Sequence, residues 1–148
     1  MVVSYDLFTE AFLSKVTEYN FCKLSEQNRQ ALVDGYMKRA CAQFSEVCKN
    51  VRDLDDANRT ITMDDLTVNE LDEIVEIVTE GMLVQWMKPY TYKQENLENM
   101  LNTADFSSYS PAELLKRVVD AYKLCKREFV VRSREYSYRH GDITDLHL

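Results

Sequence analysis

Apolar residues recur every three to four positions along most of this chain, the spacing that is typical of amphipathic helices. The pattern predicts helices over about residues 5–19, 25–48, 67–88 and 110–140, with a shorter helical continuation from Tyr92 to Leu101. We therefore expect an all-α fold, a four- to five-helix bundle with a long C-terminal helix. Residues 1–141 would form this bundle, and residues 142–148 an extended C-terminal docking tail.

Local signals support the predicted helix ends. Ser25 can cap the second helix, and Thr67 with Glu70 forms a capping box for the third. Pro89 must break or kink the third helix, because proline removes a backbone donor and clashes with the preceding turn. The run 110–113 (Ser-Pro-Ala-Glu) is a strong start signal for the fourth helix, and Gly141 is well placed to end it.

Two further expectations concern the interior of the bundle. The third segment is the most apolar, which predicts that it is the central helix. Gly35 lies inside the second helix, where glycine is unfavourable, so we expect another helix to approach it closely. The periodicity is lost over about residues 49–66, which predicts a long acidic loop containing a brief extended segment at 60–63.

The composition excludes several fold and function classes. Three glycines and two prolines are too few for sandwiches, barrels and glycine-rich nucleotide sites. No apolar run is long enough to span a bilayer, and the start Met-Val-Val-Ser-Tyr-Asp carries no secretory signal, so we expect a soluble protein that is intracellular when made.

The charge is unevenly distributed. The formal net charge of −7 argues against general adhesion to nucleic acid or anionic membrane. Residues 50–80 carry ten acids and two bases, whereas residues 110–140 carry eight bases and four acids. Two ends of opposite sign favour head-to-tail contacts between copies, a geometry that closes into rings. The alternative is that the acidic and the basic regions are two ordinary solvated helix faces with no role in assembly.

Residues suited to catalysis or metal binding are scarce. Both histidines, His140 and His147, lie at the C-terminal end, and the acidic cluster Asp53, Asp55 and Asp56 lacks the glycine and glutamate of a calcium loop. We expect no enzyme activity, no metal and no cofactor. The cysteines are interpreted as reduced residues that belong mostly to the core. They are Cys22, Cys41, Cys48 and Cys125.

Tyrosine and arginine concentrate near the C-terminal end, a mixture that is enriched in protein interfaces. Single-stranded nucleic acid is an alternative partner, and burial of the tyrosines within the domain is another. Ile143, Leu146 and Leu148 alternate imperfectly on the tail, so the tail can dock on another chain. The candidate docking residues are Arg132, Arg134, Tyr136, Tyr138, Arg139, Ile143, Leu146 and Leu148.

The order of these features resembles the head-to-tail connector (adaptor) proteins of long-tailed bacteriophages. The likeness is one of pattern and covers nearly the whole chain. It is carried by the segments 34–44 (DGYMKRACAQF), 81–90 (GMLVQWMKPY), 110–115 (SPAELL) and 134–142 (REYSYRHGD), followed by 143–148. The longer stretches at 49–66 and 88–109 have no counterpart from which a role can be carried over.

The resemblance implies a structural virion protein, made in the host bacterial cytoplasm and located at the neck. About twelve copies would form a ring under the portal, extend the DNA channel and offer a platform for the next neck or tail protein. Residues after Arg132 would face the portal. DNA would pass without specific binding, and an acidic loop with Asp53, Asp55 and Asp56 facing the channel would repel it. The main alternative is a small helical regulatory protein that binds a host protein.

Overall fold

Helices dominate the computed structural model, which describes residues 1–16, 25–46, 51–91 and 111–140. The helices are α1 (Asp6–Lys15), α2 (Glu26–Ser45), α3 (Val68–Met87) and α4 (Pro111–His140), and a short 3₁₀ helix (Lys88–Thr91) follows α3. The strands are β1 (Val2–Ser4), β2 (Val51–Asp55) and β3 (Thr60–Met63). The expected helical class is confirmed, but all-α is wrong because these strands form a small sheet.

The helix boundaries follow the local signals. Thr67 Oγ1 accepts a hydrogen bond from the Glu70 backbone N–H at 3.2 Å, and the Glu70 carboxylate accepts one from the Thr67 N–H at 3.3 Å, which confirms the capping box. Ser25 caps α2 through the Asn28 N–H. α3 ends two residues before Pro89, as expected of a helix-breaking proline. The signals at Ser110 and Gly141, the continuation 92–101 and the tail 142–148 lie outside the described residues.

The stretch that was expected to be a loop contains a β-hairpin. β3 lies at the centre of an antiparallel sheet of order β1-β3-β2, and its residues Ile61 and Met63 are buried. The predicted extended segment 60–63 is confirmed as β3. β2 was missed because its apolar residues Val51 and Leu54 are three apart; an irregularity in the pairing between Val51 and Asp53 lets both pack against the core.

Arg59 fixes this hairpin to the helices. It has a left-handed backbone conformation (φ 52°) just before β3. Its guanidinium donates to both carboxylate oxygens of Asp34 on α2 at 2.9 Å and to Asp6 on α1 at 2.8 Å. The same group lies 5.8 Å from the centre of the Tyr5 ring. Hydrogen bonding to Asp34 raises the pKa of Arg59, so the cation is always present to join these three elements.

The hydrophobic core is built around α3, which contacts α1, α2 and α4, so the prediction of a central helix is confirmed. α4 runs antiparallel to α3. Two ion pairs show this register, Glu80 with Arg132 and Glu73 with Arg139. The buried residues of α3 are Ile74, Val75, Ile77, Val78, Thr79, Gly81, Met82 and Val84.

The close helix approach occurs at Gly81, not at Gly35. A Cβ atom on Gly81 would lie 2.7 Å from Phe129 Cε2 of α4 and 2.9 Å from the Ala40 Cβ of α2. Within the described part of the chain, a Cβ atom on Gly35 would meet nothing within 4 Å, so the expected contact there is wrong. Gly81 is therefore the position at which α2, α3 and α4 meet.

The two glycines give a matched test of this packing. We expect Gly81→Ala to lower the free energy of unfolding by about 1–3 kcal/mol, since overpacking forces α2 or α4 to shift. Gly35→Ala should raise it by about 0.5–1 kcal/mol through helix propensity alone. Urea denaturation followed by circular dichroism measures both. Equal effects of the two substitutions would contradict the three-helix contact.

A second pair of variants tests the Arg59 cluster. Arg59→Ala leaves the Asp34 side chain, which is 14% exposed, without its bidentate partner, and should cost about 1–3 kcal/mol of stability. Arg52→Ala removes an exposed pair with Asp64 in the same hairpin and should cost less than about 1 kcal/mol. A loss for Arg59→Ala no larger than that for Arg52→Ala, measured by thermal unfolding, would show that the hairpin is held by apolar packing alone.

Candidate functional site

The three acidic residues proposed to face a channel are exposed on the β2–β3 hairpin, where each has a partner within the chain. Asp53 accepts a hydrogen bond from the Leu54 N–H at 3.0 Å. Asp55 accepts two from Asn58, which closes the turn. Asp56 accepts one from the Tyr5 hydroxyl at 2.8 Å and pairs with Lys38 of α2 at 3.2 Å. These carboxylates therefore shape the hairpin.

The hydrogen bonds perturb the titration of two of these acids and of Tyr5. The Asn58 side chain lowers the pKa of Asp55, and the Tyr5 hydroxyl lowers the pKa of Asp56, with Lys38 as a further cause. Burial, reinforced by the hydrogen bond to Asp56, raises the pKa of Tyr5. Tyr5 therefore stays protonated and remains the hydrogen-bond donor across the physiological range.

The acidic and basic regions lie partly side by side. Because α3 and α4 are antiparallel, Glu73 pairs with Arg139 and His140, and Glu80 lies 3.8 Å from Arg132. The expectation of two charged ends is wrong for these helices, since part of the charge asymmetry is neutralised within the chain. The rest of the acidic region, the β2–β3 hairpin, is joined instead to α1 and α2 through Arg59.

The candidate docking residues separate into groups. Tyr136 is 1% exposed and packs on the Phe44 ring at 5.7 Å, so its expected surface position is wrong. The reason is helical spacing: Tyr136 lies seven residues after the buried Phe129, on the same inward face. Arg132 and Arg139 are exposed and pair with acids of α3, and Arg134 and Tyr138 are also exposed. Ile143, Leu146 and Leu148 lie outside the described residues.

α4 carries a second apolar stripe that the sequence reasoning missed. Leu124, Val131 and Tyr138 are 57%, 43% and 61% exposed, and they lie seven residues apart. Residues seven apart lie on one side of a helix. At about 100° per residue, this side is opposite the buried face that contains Phe129 and Tyr136. We call Leu124, Val131 and Tyr138 the outer stripe. The seven-residue repeat away from the buried face was the signal that could have revealed it.

Charged residues of opposite sign border the outer stripe. Their helical positions put the bases on one side and the acids on the other. Bases and acids along an apolar stripe form the pattern with which a helix recognises another helix. The bases are Lys123, Arg127 and Arg134, and the acids are Glu128 and Glu135.

A groove lies between the C-terminal parts of α2 and α3 and the middle of α4. It encloses about 260 Å³. Its apolar lining comes from Val84, Tyr122, Phe129 and Val130. Its polar lining comes from Gln43, Glu46, Gln85, Lys88, Lys126, Ser133 and Arg134. We call this the three-helix groove. It was missed because its lining comes from three helices whose adjacency the sequence does not display.

Nothing in the described part of the chain is prepared for thiolate chemistry. Cys41 is 1% exposed, and burial raises the pKa of its thiol to about 12. Partial burial, with Glu80 and Glu128 nearby, raises the pKa of Cys125. Both thiols therefore remain protonated at neutral pH and act as apolar core groups. Cys22 and Cys48 lie outside the described residues.

Two other kinds of site have no counterpart in the described ranges. No group of three or more histidine, cysteine, aspartate or glutamate residues in these ranges is arranged to hold a metal ion. Among the helices described, none has the length and apolar character needed to cross a membrane.

Comparisons with known proteins add no relative. No protein-family model, no curated protein and no solved structure matches the chain.

The hydrogen bond between Tyr5 and Asp56 gives a pH-dependent prediction. Because the folded-state pKa values of Asp55 and Asp56 are lowered, both acids stabilise the hairpin above about pH 4, and this is lost as the pH falls through the lowered values. In Tyr5→Phe, the Asp56 titration midpoint should move upward, while Asp55, held by Asn58, should not change. Carboxyl chemical shifts measured by NMR across a pH titration report both. An unmoved Asp56 midpoint would show that Lys38 alone sets it.

Proposed function

We propose that this chain is a head-to-tail connector of a tailed bacteriophage, a structural protein that assembles as a ring of about twelve copies beneath the portal. The ring extends the DNA channel and offers a platform for the next neck or tail protein. The observation that carries the proposal is the outer stripe of α4, an exposed apolar face on a helix whose opposite face is already committed to the core.

The outer stripe suits contact with another copy of the chain. A residue every seventh position keeps to one side of a helix, so Leu124, Val131 and Tyr138 can be covered together by one neighbouring helix. Each square ångström of apolar surface removed from water contributes roughly 25 cal/mol. Bases on one border and acids on the other favour a heterologous contact, in which different surfaces of two copies meet and rings can close.

The length and anchoring of α4 suit a connecting arm. At 1.5 Å per residue, its 30 residues extend about 45 Å. Arg139 and His140 pair with Glu73 of α3, and the His140 ring lies 4.4 Å from that of Tyr136. These contacts anchor the C-terminal end of α4 to α3. We propose a bundle with α4 as its long last helix and 142–148 as an extended docking tail.

In this role the chain binds no cofactor and catalyses no reaction. Its partners are other copies of itself, the portal and the next neck or tail protein, at the neck of the virion. The exposed Arg134 and Tyr138 and the tail residues Ile143, Leu146 and Leu148 are the proposed docking residues, toward the portal or a neighbouring copy. The acidic hairpin would face the channel, where its carboxylates let DNA slide past instead of binding it.

The test mixes the purified chain with the portal protein encoded in the same genome and examines the product by negative-stain electron microscopy. We expect a ring of added density at the narrow end of the portal. The double variant Leu124→Ser/Val131→Ser should keep its helicity and melting temperature within a few degrees, because both side chains are exposed, but should reduce ring occupancy at least tenfold.

Leu32→Ser is the matched control, since Leu32 is a 40% exposed apolar residue on α2. It should leave ring formation unchanged. Full occupancy with the double variant would remove the outer stripe from the subunit contact. A folded wild-type chain that forms no complex with the portal would favour the alternative, a small helical regulator of a host protein.

A further inference from the structure

The three-helix groove has the charge of a site for an acidic ligand. Lys88, Lys126 and Arg134 are exposed at the groove, and Glu46 is the one acid among the described residues that line it. None of the three cations makes an ion pair within the parts of the chain that the structure describes. In a chain of net charge −7, this is a local reversal of sign. Three unneutralised cations around one opening attract an anionic partner.

The apolar lining indicates what else the ligand must carry. Val84 and Phe129 are 3% and 4% exposed, and the half-buried Tyr122 and the partly exposed Val130 complete this part of the groove. The volume of about 260 Å³ is below the roughly 300–1,000 Å³ of typical small-molecule pockets. It suits a few aliphatic side chains of a peptide, held by apolar contact and oriented by carboxylates on the cations.

We propose that the three-helix groove binds the C-terminal segment 142–148 of a second copy of this chain. The segment combines two carboxylates, Asp142 and Asp145, with three aliphatic residues, Ile143, Leu146 and Leu148. It contains no lysine or arginine. Its composition therefore matches both the cationic residues and the apolar lining of the groove.

Distance favours a segment from another copy. The groove residues of α4 are centred near residue 128, twelve positions before His140, which is about 18 Å along the helix. A segment returning on its own α4 must first reverse direction. The six residues 143–148 then span at most about 20 Å, so that only Leu148 reaches the centre of the groove. A neighbouring copy can place all three aliphatic residues there.

This inference rests on the proposed self-assembly and gives it a second contact. The outer stripe and the apolar lining of the three-helix groove lie on different sides of α4, with Arg134 between them, so each copy can use both at once. A segment exchanged around a ring makes every copy both donor and acceptor, which is the heterologous arrangement that ring closure requires.

A peptide titration tests the groove directly. A fluorescein-labelled peptide of residues 141–148, amidated at its C-terminus, is titrated with the full-length chain and followed by fluorescence anisotropy. We expect saturable binding that weakens at least tenfold for the variant Lys126→Glu/Arg134→Glu. A peptide with Asp142→Asn and Asp145→Asn should lose affinity to a similar extent. Arg39→Glu/Lys116→Glu, which alters two exposed helix cations outside both the groove and the border of the outer stripe, should bind the peptide as the wild type does.

Isotope mixing identifies the donor of the segment. Equal amounts of ¹⁵N-labelled and unlabelled full-length chain, each with a photo-crosslinking residue at position 146, are irradiated together and analysed by mass spectrometry. We expect crosslinks that join labelled to unlabelled chains at groove residues. Crosslinks confined within single chains would overturn the proposal. So would the absence of peptide binding, or equal binding by the groove variant.

The outcomes also separate this inference from the connector role. A ring on the portal without any peptide binding would overturn the groove proposal and leave the connector proposal standing. Peptide binding with interchain crosslinks, but no complex with the portal, would support the groove proposal and overturn the connector proposal.

Discussion

The absence of a side chain at Gly81 allows α2 and α4 to approach the same position on α3. Ala40 from one side and Phe129 from the other occupy the space in which a Cβ atom would lie. The rest of the interior depends on this approach, because the antiparallel register of α4 brings Tyr136 onto Phe44 and Arg139 onto Glu73. That register also turns the outer stripe to the surface. The absence of a Cβ atom at Gly81 thus determines which face of α4 is buried and which face is exposed.

Features that depend on neighbouring residues could be predicted from the sequence, whereas contacts between distant segments could not. The capping box at 67–70, the break at Pro89 and the extents of α2 to α4 follow from local spacing and backbone chemistry. The sheet was missed because a pairing irregularity disguises the alternation in β2 and because β1 finds its partner sixty residues away. The helix contact was predicted at Gly35 instead of Gly81, because helix propensity indicates where glycine is unfavourable and not where two helices meet.

The candidate surfaces, too, could be predicted only where they depend on residues close together in the sequence. The concentration of tyrosine and arginine near the C-terminal end indicated an interface, but composition did not distinguish the buried Tyr136 from the exposed Tyr138. Applying the helical period of the buried face to every residue of α4 separates them. The three-helix groove lay beyond such reasoning, because its cations come from two helices that are adjacent only after folding.

The pairing of β1 with β3 has a consequence for how the protein is made. Val2 is made before its partner Thr62, which follows only after α1, α2 and the first hairpin strand. The Tyr5 N–H likewise has no partner until Arg59, whose carbonyl accepts its hydrogen bond, has been made. β1 therefore stays unpaired until β3 has been made, and the sheet closes only when a long loop of chain is brought together. β1 thus joins a hairpin that has already been made, and it is among the later parts of the sheet to take its final place.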